Sequence, residues 1–263
     1  MSLTISLIQM DIAVGQPQVN LERAQTWVQQ AAKAGADLAV LPELWGSGYD
    51  LAHAARHADE LDAGLFAEMA ALARTHSLYL AGSLLERREE KFFNTAVLYG
   101  PGGDLLGHYS KIHLFRLMDE HQYLQAGNAM PLFDLPWGRV ALAVCYDLRF
   151  PELWRHYARE GAALVVIPAQ WPIRRVEHWR TLLRARAIEN QIAVAACNRV
   201  GQDNDGGEPF GGHSALCDAW GRVVIEGNND EETLLTGAVD LSVTARARSF
   251  MLVFEDRRSD LYG

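Results

Sequence analysis

The chain has 263 residues, of which 49% are hydrophobic and 22% charged, and its formal net charge at pH 7 is −9. These fractions are typical of globular protein, which excludes disordered, collagen-like and coiled-coil chains. The acidic balance argues against nucleic acid or an anionic membrane as the main partner.

In the first part of the chain, short apolar runs alternate with longer segments of helical period. Strands are predicted at Leu3–Gln9, Leu38–Leu41 and Leu78–Leu85, and helices at Asn20–Ala34 and Leu61–His76. From Phe92 the pattern predicts a hairpin, in which the strands Thr95–Tyr99 and Leu105–Tyr109 flank the turn-forming sequence of residues 100–104.

The second part repeats the alternation and then becomes mostly β. Strand Val140–Val144 leads into a helix near Pro151, followed by strand Leu164–Ile167, helix Arg174–Asn190 and strand Ile192–Cys197. Three more strands are predicted at 213–218, 222–225 and 234–240. The pattern indicates an α/β protein of one domain, with a mixed sheet or two packed sheets and helices outside. Residues 249–263 have no clear place in that core.

Neither the apolar runs nor the cysteines predict a membrane segment or a crosslinked fold. The longest apolar stretches, such as 140–145 and 162–169, are too short to cross a bilayer, and the N-terminus lacks a signal-peptide pattern. We therefore expect a cytoplasmic protein. Three widely spaced cysteines argue against a disulfide framework and against a cysteine-based zinc site.

Three polar residues follow apolar runs, where α/β folds collect their ligands. Glu43 follows the run 38–42, Lys111 follows the second hairpin strand, and Cys145 ends the run 140–144. A buried carboxylate with a raised pKa can act as a general base, and an ammonium group stabilises negative charge on a thiolate or on substrate oxygen. The alternative for Glu43 and Lys111 is a surface charge or a structural ion pair.

Cys145 is the candidate nucleophile. Its position before a helix start predicts a lowered thiol pKa, because helix N-termini favour anions. The alternative is a small buried hydrophobic residue at a strand end. Cys197 and Cys217 lie inside apolar runs, and burial is the better interpretation for both.

Other motifs are weaker. Gly102 and Gly107 have P-loop spacing, but His108 stands where that loop needs lysine. His53 and His57 have the spacing of helix-borne metal ligands, yet a solvated helix face is the better interpretation. A basic cluster within the predicted helix 174–190 suggests salt bridges or an anionic-substrate funnel, and it consists of the arginines at 174, 175, 180, 184 and 186.

Three segments together resemble the signature sequences of the nitrilase superfamily, the carbon–nitrogen hydrolases. They are 39–43 (AVLPE), 109–115 (YSKIHLF) and 144–152 (VCYDLRFPE), in the family's order. Similarity continues through 184–191 (RARAIENQ) and 198–201 (NRVG), so that nearly the whole chain is covered. The segments 145–152 and 198–201 most resemble the omega-amidase branch, which hydrolyses the terminal amide of 2-oxoglutaramate and 2-oxosuccinamate.

The resemblance implies a fold and a set of catalytic roles. It implies a four-layer α-β-β-α sandwich, a homodimer or higher homo-oligomer, and a tail at 249–263 that reaches the partner subunit. Cys145 would be the nucleophile, Glu43 the general base and Lys111 the stabiliser of the tetrahedral intermediate. Glu120 matches the family's second glutamate, which helps to place the substrate and Lys111; the alternative is a solvated acid. No metal or organic cofactor is implied.

The resemblance also suggests which residues bind a small amide substrate. Arg149 matches an arginine that binds the substrate carboxylate in omega-amidases, and the alternative is an ion pair with Glu152 or Asp147. Tyr49 corresponds to a pocket-lining tyrosine, and main-chain N–H groups near Tyr146 would bind the oxyanion. Trp171 would wall the pocket, although core packing is the default for tryptophan.

Two other functions stay open. One is another reaction of the same superfamily, by a nitrilase, an N-carbamoyl-amine hydrolase or a deaminated-glutathione amidase. The other is a non-catalytic binding or thiol-redox protein in which Cys145 is a sensor.

Overall fold

The computed structural model describes residues 2–203 and 206–262. Its strands are β1 (Ser2–Gln9), β2 (Leu38–Val40), β3 (Tyr79–Arg88), β4 (Lys91–Tyr99), β5 (Leu105–Ser110), β6 (Leu132–Leu135), β7 (Gly138–Leu142), β8 (Leu164–Ala169), β9 (Ala193–Asn198), β10 (Ala215–Cys217), β11 (Val223–Glu226) and β12 (Thr233–Asp240). Its helices are α1 (Pro17–Lys33), α2 (Ala54–His57), α3 (Gly64–His76), α4 (Glu120–Tyr123), α5 (Pro151–Arg159), α6 (Val176–Asn190), α7 (Ser242–Phe250) and α8 (Ser259–Tyr262).

The strands form two mixed sheets with the same internal plan. The orders are β12-β1-β2-β3-β4-β5 and β11-β10-β9-β8-β7-β6. The three strands β1, β2 and β3 run parallel, as do β7, β8 and β9, and the remaining pairings are antiparallel. Each parallel set is connected through helices, α1 and α3 in the first sheet and α5 and α6 in the second. The predicted hairpin of residues 95–109 is confirmed by the pairing of β4 with β5.

The sheets pack face to face over the main core, and helices cover their outer faces. Side chains of β1 and β2, such as Leu7 and Val40, are buried in one cluster with Leu142 and Val165 of the second sheet. Apolar residues at helical spacing on α1, including Val28, pack with α3 on the outer face of the first sheet. The four-layer sandwich is confirmed. In the described residues, no helix is long and apolar enough to span a membrane.

Five of the described elements were not predicted, and the strand predicted from residue 213 begins later than expected. The five that lie outside every predicted element are strand β6 and the helices α2, α4, α7 and α8. The strand predicted from residue 213 begins at Ala215, because His213 has a left-handed φ of 50° and its ring Nδ1 lies 2.7 Å from Glu226 Oε1.

The segment after α7 folds back onto the second sheet's helices. The Gln191 side-chain amide donates to the carbonyl oxygens of Ala247 and Met251, at 3.0 Å each. The Phe254 ring lies 5.3 Å from the guanidinium carbons of both Arg155 and Arg248. Other apolar side chains there face solvent, since Phe250 is 80% exposed. The beginning of the predicted tail therefore packs on its own chain.

Candidate active site

The candidate residues converge where strands of both sheets end. Glu43 follows β2, Lys111 follows β5, and Cys145 follows β7. Gln170, directly after β8, completes the group. The main-chain N–H of Glu43 donates to the carbonyl of Ala169 at 3.5 Å, which joins the two sheets at this point. The three residues that were selected because they follow apolar strands therefore lie in one cluster.

Lys111 lies fully buried between two carboxylates. Its Nζ donates to Glu43 Oε1 at 2.8 Å and to Glu120 Oε1 at 2.6 Å, and all three side chains are 0% exposed. Burial alone would lower the pKa of Lys111, but Glu120 and Glu43 outweigh it and the pKa is raised. The ammonium group therefore stays charged inside the protein, and the surface-charge interpretation is wrong for Glu43 and Lys111.

Three donors hold the Glu43 carboxylate. Besides Lys111, the Asn94 side-chain amide donates to Oε1 at 2.8 Å, and the main-chain N–H of Gln170 donates to Oε2 at 2.9 Å. Burial raises the pKa of Glu43, Lys111 opposes this, and the nearby Glu120 adds to it. The net pKa is raised, as the sequence predicts, which favours proton uptake by this group.

Glu120 is fixed at both carboxylate oxygens. Tyr49 donates its hydroxyl to Oε1 at 2.8 Å, and the main-chain N–H of Phe115 donates to Oε2 at 2.6 Å. The solvated-acid interpretation of Glu120 is wrong, because the residue is completely buried. Burial, followed by the charges of Glu120 and Glu43, raises the pKa of Tyr49, so its hydroxyl remains a donor.

Cys145 adopts a backbone conformation that side chains rarely take. Its φ is 45°, in the left-handed region, at the start of a 3-10 turn that spans Cys145–Arg149. The carboxylate of Asp147 supports this turn by accepting from the main-chain N–H of Val144 at 2.9 Å. The Cys145 thiol donates to the carbonyl of Gln170 at 3.7 Å.

The expected lowering of the Cys145 pKa is wrong. Burial and the negative charge of Glu43 raise it well above the usual thiol range, and Lys111 opposes them only in part. The thiol is therefore protonated at rest, beside a carboxylate whose pKa is also raised. This arrangement lets the thiol proton pass to Glu43 when a carbon centre is attacked.

A small pocket opens at Cys145. The residues around it are aromatic, cationic or polar: Phe115, Cys145, Tyr146, Arg149, Gln170, Trp171, Pro172 and Arg175. The sequence-predicted residues Tyr146, Arg149 and Trp171 thus share one pocket with the thiol. Tyr49, predicted as a pocket residue, is not among the lining residues in the described chain and instead contacts Glu120.

Arg149 does not form the ion pairs considered as its alternative. Its guanidinium carbon lies 4.6 Å from the centre of the Trp171 ring, and its Nη2 lies 3.3 Å from Nδ1 of His178. Asp147 has other partners, accepting from the Tyr109 hydroxyl at 2.8 Å besides the Val144 N–H. Within residues 2–203 and 206–262, no ion pair joins Arg149 to a carboxylate.

Sequence reasoning missed three residues around Glu43. Asn94 lies inside β4, and no sequence signal separates it from its strand neighbours. Gln170 follows an apolar run, so the strand-end signal that selected Glu43 applied to it as well. Arg199 donates to Gln170 Oε1 at 3.0 Å and to Asp11 Oδ1 at 2.7 Å, and it is completely buried. Only the family-like segment 198–201 pointed to that region.

The two histidines considered as metal ligands bind a carboxylate instead. His53 and His57 lie 2.7 and 2.8 Å from the oxygens of Asp50. The solvated-face interpretation is wrong for His57, whose side chain is 5% exposed. In the described part of the chain, no group of three or more His, Cys, Asp or Glu side chains could hold a metal ion.

Comparisons with known proteins point to one family over nearly the whole chain. A family profile described as carbon-nitrogen hydrolase matches residues 4–249. The chain is 42% identical to 2-oxoglutaramate amidase of Bacillus subtilis over 263 residues, which covers 100% of both chains. It is 34% identical to an omega-amidase of Homo sapiens over 270 residues, covering 99% of this chain and 97% of that one. A solved superfamily protein of Xanthomonas campestris, with an arsenic adduct in its active site, matches with a TM-score of 0.91, 32% identity and coverage of 98% and 97%.

Proposed function

Because this chain belongs to the carbon–nitrogen hydrolase family, we propose that it hydrolyses the terminal amide of a small carboxylate-bearing substrate, of the 2-oxoglutaramate or 2-oxosuccinamate type. The products are the acid and ammonia, formed through a cysteine thioester. The observation that supports this most directly is the buried Lys111 ammonium held between Glu43 and Glu120, beside the Cys145 thiol. The 2-oxoglutaramate amidase and omega-amidase names of the relatives support the substrate class.

In the first step, Cys145 Sγ attacks the amide carbon while its proton passes to Glu43. Negative charge develops on the carbonyl oxygen, and Lys111 together with main-chain N–H groups near Tyr146 stabilises it. The carbon–nitrogen bond then breaks, and Glu43 gives its proton to the leaving nitrogen, which departs as ammonia. A thioester at Cys145 remains.

In the second step, Glu43 takes a proton from water, and the resulting hydroxide attacks the thioester carbon. The carbon–sulfur bond breaks, and the proton returns from Glu43 to Cys145. The carboxylic acid leaves and the site is restored. These steps use only the substrate, water and the side chains described, so neither a metal nor a cofactor enters the proposal.

Glu120 positions Lys111 and takes no part in the bond changes. It holds Lys111 at 2.6 Å and is itself held by Tyr49 and by the main chain at Phe115. A fixed ammonium group stabilises a developing charge without reorganising, which is the main source of electrostatic catalysis. Arg149, at the pocket, takes the substrate carboxylate, because a guanidinium binds carboxylates bidentately.

Ammonia release from a substrate panel tests the proposal. The panel contains 2-oxoglutaramate, glutamine, a short aliphatic amide and a nitrile. We expect kcat/KM for 2-oxoglutaramate to exceed the others by at least about tenfold, and turnover to vanish in Cys145→Ala. Cys197→Ala is the matched control, because Cys197 is also a buried thiol but lies within β9. Unaltered turnover in Cys145→Ala would overturn the mechanism, and preference for another substrate would overturn the specificity.

The proposal extends to the organisation of the protein. It treats residues 1–263 as one carbon–nitrogen hydrolase domain that forms a cytoplasmic homodimer, with residues 249–263 at the subunit interface. The exposed apolar side chains Phe250 and Met251, 80% and 50% exposed, support that interface. Light scattering should give about twice the 29.2 kDa chain mass, and Phe250→Glu should shift it toward the monomer. A monomeric wild type would contradict the dimer, and cell fractionation tests the location.

A further inference from the structure

We propose that Arg175 is a second carboxylate-binding residue. Together with Arg149 it binds the carboxylate at the end of the substrate opposite the amide. Both side chains line the pocket at Cys145. The inference rests on the proposed function and specifies its substrate class: amides whose other end is a carboxylate shared by two guanidinium groups.

Trp171 contacts both arginines. Its ring lies under Arg149, 4.6 Å from the guanidinium carbon. Its Nε1 donates to the main-chain carbonyl of Arg175 at 2.7 Å. The main-chain atoms of Trp171 are fixed in turn by Asn198, whose Oδ1 accepts from the Trp171 N–H at 2.7 Å. A buried aromatic residue thus sets the spacing of two cations beside the reactive thiol.

The two arginines line one pocket, and within the described residues Arg149 has no carboxylate partner. Burial lowers the pKa of Arg149, Tyr146 and Cys145 oppose this, and the positive charge of Arg175 lowers it further, so the two cations repel each other. In the described residues, the partners of Arg149 are His178 and Trp171, and neither side chain carries a negative charge. A carboxylate placed between two guanidinium groups would relieve this repulsion and accept from both.

Arg175 is held near the pocket but keeps donors for a ligand. Its Nη2 lies 3.6 Å from Oε2 of Glu208, a longer separation than a direct hydrogen bond. Glu208 also accepts from the main-chain N–H of Arg174 at 3.0 Å, which anchors the turn Ile173–Arg175. The weak ion pair with Glu208 leaves the planar fork of Arg175 available to a substrate oxygen.

Arg174 provides a matched control in the same turn. Its side chain is 80% exposed and lies 3.5 Å from the same Glu208. It is not among the residues that line the pocket in the described chain. Removing either arginine therefore costs one positive charge and one contact with Glu208, but of the two only Arg175 lines the pocket at Cys145.

The test compares glutaramate, which has a carboxylate, with pentanamide, which has none. The measured quantity is the ratio of their kcat/KM values, so losses from misfolding cancel. Arg175→Ala should lower this ratio about 30-fold, since a charge-assisted interaction with the substrate carboxylate is lost. Arg149→Ala should lower it similarly, and the double variant should bring it close to one. Arg175→Lys should recover only part, because an ammonium lacks the fork.

Three results would overturn parts of this scheme and can be told apart. A wild-type ratio near one would contradict the proposed function itself. A wild-type preference for glutaramate that survives in Arg175→Ala would overturn the role of Arg175 and leave the function standing. A drop in the ratio for Arg174→Ala as large as that for Arg175→Ala would mean that the effect comes from the lost charge or the lost contact with Glu208, and would also overturn the role of Arg175.

Discussion

Gln170 and Glu43 are joined by two hydrogen bonds that run between the two sheets. The main-chain N–H of Gln170 donates to Oε2 of Glu43 at 2.9 Å, and the side-chain amide of Gln170 donates to the main-chain carbonyl of Glu43 at 2.7 Å. The carbonyl of Gln170 also accepts from the Cys145 thiol. One residue therefore sets the distance between the candidate base and the candidate nucleophile.

Gln170→Ala should lower kcat about 10- to 100-fold with little change in KM. Glu43 loses the hydrogen bond that its main-chain carbonyl accepts from the Gln170 side chain, while the other residues that line the pocket remain. The substitution also leaves a buried carbonyl of Glu43 and a donor of Arg199 unpaired, at about 1–3 kcal/mol each. Steady-state kinetics and urea unfolding measure both effects. Gln122→Ala, at an exposed glutamine, is the control. A rise in KM at constant kcat would instead make Gln170 a substrate-binding residue.

Asn94→Ala should move the acid limb of the pH profile of kcat/KM upward. Glu43 must be ionised to take the thiol proton, and the Asn94 donor stabilises that ionised form. Losing a hydrogen bond to a charged group, about 1.5–3 kcal/mol, raises the pKa of Glu43 by about one to two units. Activity is then lost at acid pH and recovered at higher pH. A uniform loss across the whole range, or a shift in the exposed control Asn128→Ala, would refute this role.

Lys111→Met should destabilise the fold by about 3–5 kcal/mol, because Glu43 and Glu120 remain buried without their cation. This deficit, the loss in the free energy of unfolding relative to the wild type, should depend on pH. Without Lys111, the pKa of Glu43 loses the charge that opposes burial and lies further above the unfolded value of about 4.3, so the native state binds more protons than the unfolded state. The deficit should therefore be small near pH 4 and grow as pH rises. Urea unfolding at several pH values measures this, with Lys91→Met at an exposed lysine as control. A pH-independent deficit would contradict the explanation.

Iodoacetamide should label Cys145 alone in the folded protein. Cys145 lines the pocket beside Glu43, which can take its proton, whereas Cys197 and Cys217 lie within strands and are 0% and 1% exposed. Labelling should slow in Glu43→Gln, because the thiol then lacks its proton acceptor. Mass spectrometry of digested protein locates the label. Native-state labelling of Cys197 or Cys217 would show that accessibility does not follow the described packing.

Sequence patterns identified Glu43, Lys111 and Cys145 because each of these residues follows an apolar strand. The same rule covered Gln170 and Asn198, but polarity after a strand does not tell which side chains point toward one another. The contact between Glu43 and Gln170 joins residues 127 positions apart, in different sheets. The direction of the Cys145 pKa shift was wrong because it depends on burial and on Glu43, neither of which local sequence specifies.

The fold was predicted where periodicity is strong and missed where it is weak. Helix α1 has apolar residues at regular spacing, with Gly35 at a left-handed φ of 77° just beyond it. Helix α7 has few apolar residues, and it is held instead by contacts such as the one from Gln191 to Ala247. Tertiary contacts of this kind leave no local signal in the sequence.

The assembly of the site from both sheets makes turnover a reporter of fragment association. A break in the connection between Tyr123 and Leu132 would place Glu43, Lys111 and Glu120 on one fragment and Cys145 on the other. Neither fragment would carry a complete reaction centre, yet β12 of the second fragment pairs with β1 of the first along their whole lengths. Mixing the two fragments would therefore restore ammonia release only where that pairing and the contact between the sheets had both re-formed. The enzyme is thus a natural candidate for a split reporter.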